Sequence, residues 1–310
     1  AGVLFAAVGY IILDKVYTER IKSYDEFLFP MTGLFLGRVV EIAVSLFMFS
    51  IFCIMTAGSG SIIGVKLGIP YSYAVVITSL IYMLIILTNI RGIVAVSTVV
   101  TPSMIIGMVI IGFYIIVTKD TAVFNIMGYF ERIAHNWFFS SLLYVSYNSI
   151  LSIVVMCSLL PYLKTRRTGI MGGILGGAML CLIALILNCS ISIFYPGSLL
   201  NELPVLNIVQ RYSKLLGVIY SIILWLAMLV SAITSGYGFI ERVCSRVKLS
   251  KWLVTAIVCA LAVPLSGVGF SSLIAAIYPV FGYVGLFLLL AVLFQGIRGH
   301  VSSVSRGRGY

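Results

Sequence analysis

The chain has 310 residues, 61% of them hydrophobic and only 9% charged, and its mean hydropathy is +1.17. A soluble domain carries roughly 25% charged residues to solvate its surface, so this composition excludes soluble enzymes, secreted disulfide scaffolds and DNA-binding domains and makes lipid the solvent. The net charge of +11 is spread in short basic clusters between apolar runs, the pattern of membrane-protein loops and not of a nucleic-acid-binding face.

In chain order, residues 1–13 are apolar but reach only about 20 Å as a helix. They lack the basic start of a signal peptide and read as the end of a span that begins before Ala1. Eight stretches then approach the roughly 20 apolar residues that a crossing helix needs: 38–59, 71–89, 93–117, 138–160, 169–194, 214–235, 252–268 and 271–295. The expected fold is therefore all-α, a polytopic transmembrane helical bundle forming one domain over 1–310. Residues 14–36 carry both charge signs with turn signals at Pro30 and Gly33, and predict a partly helical link. Residues 118–137, with Phe124, Ile126, Met127, Phe130, Ile133 and Trp137, predict an interfacial amphipathic helix. Residues 195–213 predict a turn and a short helix with Pro204 near its start. The tail 296–310 is basic, rich in Gly and Ser, and expected to be disordered against anionic headgroups.

Loop charge predicts the orientation. Lys15, Arg20, Lys22, Arg38, Arg91, Lys164, Arg166, Arg167, Arg242, Arg246, Lys248, Lys251, Arg298, Arg306 and Arg308 fall in one set of loops, and Lys66, Lys119, Arg132, Arg211 and Lys214 in the other. The positive-inside bias makes the first set cytoplasmic, and the protein a multi-pass component of the cytoplasmic membrane.

A short motif occurs twice: TAGSGSI at 56–62 and TSGYGFI at 234–240 share T-x-G-x-G-x-I. Each closes an apolar span, one at its outer and one at its inner end. Equivalent positions on oppositely directed helices are what an inverted repeat leaves behind. The first half would occupy 1–117 and the second 138–295.

Few residues could carry chemistry. Glu41 is the one acid inside an apolar run, and Arg38 one turn away makes an interfacial i,i+3 ion pair the simpler reading than a gate. No His or Lys is available to activate the serines, and Cys53, Cys157, Cys181, Cys189, Cys244 and Cys259 lack metal spacing; an enzyme is not expected. Gly172, Gly173, Gly176 and Gly177 form small-xxx-small pairs for close helix packing. The span 138–160 is different, because Tyr144, Ser146, Tyr147, Asn148, Ser149 and Ser152 crowd its middle. Such a run either holds neighbouring helices by hydrogen bonds or lets the helix break to make a midplane solute site. Asn148 favours the second, since an amide at the centre is costlier than a hydroxyl. Solute contact is expected at Tyr144, Ser146, Tyr147, Asn148 and Ser149. Near the end of 214–235, Ser231, Thr234 and Ser235 could offer oxygen ligands to a hard cation, or serve simply as helix caps.

Several phrases resemble a known group, the YkvI-like bacterial membrane proteins of the amino acid–polyamine–organocation superfamily: SYDEFL (23–28), GRVVEIAVSLFMF (37–49), TAGSG, SYNSIL (146–151), the stretch 218–243 and IYPVFGY (277–283). That resemblance implies two inverted five-helix repeats of the LeuT type. Residues 1–13 would end the second helix, and the eight spans would be the third to tenth, with the first helix absent from this chain. The span 138–160 would be the sixth helix, which carries the superfamily's substrate site. Thr234 and Ser235 match the eighth-helix hydroxyls that bind Na+ in sodium-coupled relatives. The implied function is secondary transport of a small, amino-acid-like solute, with a non-transporting receptor or scaffold on the same fold as the alternative.

Overall fold

A computed structural model describes residues 1–117, 137–192 and 203–306. Among the described residues the regular structure is entirely helical: α1 (Gly2–Glu19), α2 (Tyr24–Leu67), α3 (Tyr71–Leu87), α4 (Asn89–Val117), α5 (Trp137–Cys157), a 3₁₀ turn at Leu160–Tyr162, α6 (Arg166–Ser192), α7 (Pro204–Tyr212), α8 (Lys214–Arg246), α9 (Lys251–Ser266) and α10 (Phe270–Arg306). All eight expected spans coincide with helices. Among the described residues six helices are long and apolar enough to cross a membrane, while α3 and α9 are shorter apolar helices. The amphipathic segment expected at 118–137, apart from Trp137, and the turn expected at 195–202 lie outside the described residues.

Several boundaries differ from the sequence reading, each for a physical reason. The first helix does not stop at residue 13 but runs through Asp14 and Lys15 to Glu19. Its charges are compensated, Asp14 by a two-pronged contact from Arg166 and Lys15 by Glu19 one turn on. The link at 14–36 contains a short helix, 24–32, that ends where Gly33 adopts φ 74°, ψ 176°. Only glycine takes that conformation without strain. The tail expected to be disordered is helical to Arg306. The TAGSG and TSGYG motifs do not close their spans: α2 continues to Leu67 and α8 to Arg246.

The helices form two compact units, each drawing on both halves of the chain. The first comprises Ala1–Val44, Asn136–Leu182 and Tyr278–Tyr310. In it α1 and α6 run antiparallel with their backbones nearly touching. A Cβ on Gly2 would meet Cys181, one on Gly177 would meet Ala6, one on Gly173 would meet Gly9, and one on Gly169 would approach Leu13. The ridge 169–173–177 is thus the packed one, whereas Gly172 and Gly176 have nothing within 4 Å.

The second unit comprises Ser45–His135 and Ile183–Ile277. Its core gathers Phe52, Tyr82, Ile86, Leu229, Ile233, Ile240, Val258 and Ala262. Here the repeated motif has a packing role: Gly58 receives Met228, Gly236 receives Phe52, and Gly238 receives Met48. Further along, Arg242 donates to Ser45, so α2 and α8 run antiparallel. The same holds for α3 and α9, since Tyr71 donates to the Ser266 carbonyl at 2.7 Å and Ser79 to the Cys259 carbonyl at 3.0 Å. The short α7 buries Val205, Leu206, Ile208 and Val209 against Ile111, Ile115 and Tyr220, and Ser213 then caps α8 through the Leu216 amide.

The order of elements recurs at a shift of about 180 residues. A short helix at 24–32, a break at Gly33 and the long remainder of α2 precede α3 and a proline-containing α4. A short helix at Pro204–Tyr212, a break at Ser213 and the long α8 precede α9 and a proline-containing α10. The start of α3 at Tyr71 corresponds to that of α9 at Lys251, and the internal Pro102 to Pro279.

Candidate functional site

The polar run of α5 lies in the first unit. The serines and the asparagine of the run find partners within their own helix. Ser146 donates to the Leu142 carbonyl at 2.7 Å, Asn148 to Tyr144 at 2.7 Å, Ser149 to Val145 at 2.7 Å and Ser152 to Asn148 at 2.9 Å. Each bond reaches one turn back along the same helix to the i−4 carbonyl, the local back-bonding open to these side chains inside a helix. The expectation that the backbone breaks around Ser146–Ser149 is therefore corrected: α5 is continuous from Trp137 to Cys157. In hydrocarbon each freed backbone group costs several kcal/mol, and these side chains are already satisfied with the helix intact.

Ser146 and Ser149 are fully buried, while Tyr144, Tyr147 and Asn148 are half-buried. The two tyrosines join an aromatic row drawn from three helices. Phe5 of α1 meets Tyr144 edge-on at 5.6 Å, Tyr144 meets Tyr147 edge-on at 5.6 Å, and Tyr147 lies over Tyr278 of α10 at 4.5 Å and 32°. Edge and offset geometries of this kind match ring quadrupoles. Behind the row, Gly285 of α10 sits against the Ser146 carbonyl, a space that any Cβ would fill. Phe5, Tyr278 and Gly285 were not legible as members of this cluster, because each is more than 100 positions distant in sequence.

Ser231, Thr234 and Ser235 lie on α8 in the second unit. Ser231 is exposed, Thr234 half-buried and Ser235 buried. They are i, i+3 and i+4 positions, hence one side of the helix, but they lie inside α8 and do not cap its end as one reading of the sequence had it. Neighbouring Gly236 fits against Phe52 and Ile86, which fixes the depth of Ser235 in its unit. Glu41 is buried and Arg38 exposed.

The chain is similar to a protein of Bacillus subtilis (strain 168) named as an uncharacterized membrane protein, YkvI, with 25% identity over 299 residues covering 94% of this chain and 84% of that protein. It is also similar to the uncharacterized protein YyaD of the same organism, with 20% identity over 296 residues covering 95% of this chain and 86% of that protein. No family model matches, and no solved structure matches. Together with the apolar helices, the first similarity supports a multi-pass membrane protein that resembles YkvI.

Proposed function

We propose that this membrane protein is a secondary transporter of a small polar, amino-acid-like solute, working by alternating access between two inverted repeats of the LeuT type. The observation that carries the reading is the recurrent element order, combined with direction. Each packed pair of equivalent helices, α1 with α6, α2 with α8 and α3 with α9, runs antiparallel, as an inverted repeat requires. The solute would contact Tyr144, Ser146, Tyr147, Asn148 and Ser149, and Ser231, Thr234 and Ser235 would hold Na+ as coupling ion. Basic loops would face the cytoplasm in the cytoplasmic membrane.

One observation favours a second reading, a non-transporting receptor or scaffold: the polar run of α5 satisfies itself along its own helix. Uptake of radiolabelled amino acids and small amines into proteoliposomes, with Na+ or K+ outside, separates the two. Transport predicts accumulation by the full-length protein that Asn148→Leu abolishes while the purified variant stays folded. The Asn148 side chain bonds only within α5 in the described contacts, so its loss leaves helix packing in place. Absence of accumulation for every solute tried, with ligand-induced thermal stabilisation retained, favours the receptor.

A further inference from the structure

The helix pair α3–α9 is too short for an ordinary bilayer. With 17 and 16 residues the two helices reach only about 25 Å, against a hydrocarbon core of about 30 Å. The two run antiparallel side by side: Tyr71 bonds Ser266 at one end, and Ser79 bonds Cys259 at mid-height. The apolar slab they present is therefore no taller than either helix. One face of the pair is open, with Leu80, Leu84, Leu261 and Leu265 all exposed.

Two exposed aromatic residues mark the opposite ends of the pair. Tyr73 lies at the start of α3 and is 66% exposed, and Trp252 lies at the start of α9 and is 59% exposed. Tyrosine and tryptophan prefer the headgroup level at the two membrane interfaces. The hydrogen-bond register puts Tyr73 level with residues 264–265, some twelve positions from Trp252, hence about 19 Å along the axis. Tilt would only shorten the projection. Beyond Trp252 the turn continues with exposed Arg246 and Lys248, side chains that belong among lipid headgroups.

We infer that the α3–α9 face is an interaction surface for a locally thinned bilayer, occupied by short-chain or compressed lipid. A helix shorter than the surrounding hydrocarbon is accommodated by thinning the bilayer or by snorkelling flanking residues. Here the aromatic anchors sit inside the helix ends, so thinning rather than snorkelling brings the interfaces to them.

The test reconstitutes the unmodified protein in dimyristoleoyl-, dipalmitoleoyl-, dioleoyl- and dierucoyl-phosphatidylcholine and follows thermal unfolding. The expected result is greatest stability in one of the two shorter lipids and a fall of about 5 °C in dierucoyl lipid. A flat series, or stability that rises to the longest chain, overturns the inference. A second measurement is independent of stability. Trp137→Phe with Trp225→Phe leaves Trp252 as the one tryptophan, and Tyr73→Trp with Trp252→Phe in that background reports the other edge. Quenching by lipids brominated at graded depths should give distances from the bilayer centre that sum to about 20 Å; a sum near the ordinary core thickness of about 30 Å overturns the inference.

Discussion

Replacing Gly173 by alanine should weaken the protein, whereas the same change one residue earlier should not. At Gly173 an added Cβ would lie 2.5 Å from the Gly9 carbonyl carbon, 2.6 Å from its oxygen and 2.9 Å from the Tyr10 amide nitrogen. All three are backbone atoms of α1, so no side-chain rotation relieves the clash. Carbon contacts are optimal at about 3.5–4.0 Å, and α1 and α6 must part locally by about 1 Å. Overpacking of that kind costs about 1–3 kcal/mol. At Gly172 the added methyl meets nothing within 4 Å. Both substitutions gain the intrinsic helix preference of alanine over glycine, about 1 kcal/mol at most, so that term cancels in the comparison. Gly172→Ala should therefore be neutral or slightly stabilising, and Gly173→Ala should melt about 5 °C below it. The assay is thermal unfolding of the two purified variants in the same nanodisc lipid, followed by intrinsic fluorescence. Leucine at each position should widen the gap. Identical melting of the two alanine variants, or greater stability of Gly173→Ala, would refute the backbone contact between α1 and α6.

Two further outcomes follow from particular residues. Arg20 ends α1 with φ 56°, a left-handed conformation that costs an L-residue about 1–2 kcal/mol and that its contact over the Tyr17 ring, worth about 0.5 kcal/mol at an exposed site, offsets in part. Arg20→Gly should melt above the unmodified protein and Arg20→Val below it; a less stable Arg20→Gly would show that the ring contact dominates. The proposed orientation predicts that a cysteine replacing Thr165 reacts with an impermeant maleimide only from the cytoplasmic side, and one replacing Lys66 only from the outside. Labelling of both from one side overturns the assignment of loops by charge.

The sequence by itself determined which solvent this chain folds in, because 9% charged residues cannot clothe a soluble surface. It also located the helices, since an apolar run in hydrocarbon has no option but to satisfy its backbone internally. What it misjudged were their ends. Asp14 and Lys15 read as a loop because a charge alone is costly at a membrane edge, yet Arg166 and Glu19 supply partners that only folding brings near. The glycine motifs at 56–60 and 234–238 were visible as a pair, but not as sockets for Met228 and Phe52, because a socket is defined by the helix that fills it. The polar run of α5 could be read from sequence as breakable or as holding neighbouring helices by hydrogen bonds; the structure instead has a continuous helix whose serines and asparagine bond one turn back along it. The aromatic row that joins Phe5, Tyr144, Tyr147 and Tyr278 belongs wholly to tertiary structure. Local periodicity decides which residues form a helix, whereas contacts between residues more than 100 positions apart are settled by which helix faces can approach, and here glycines set how closely they do.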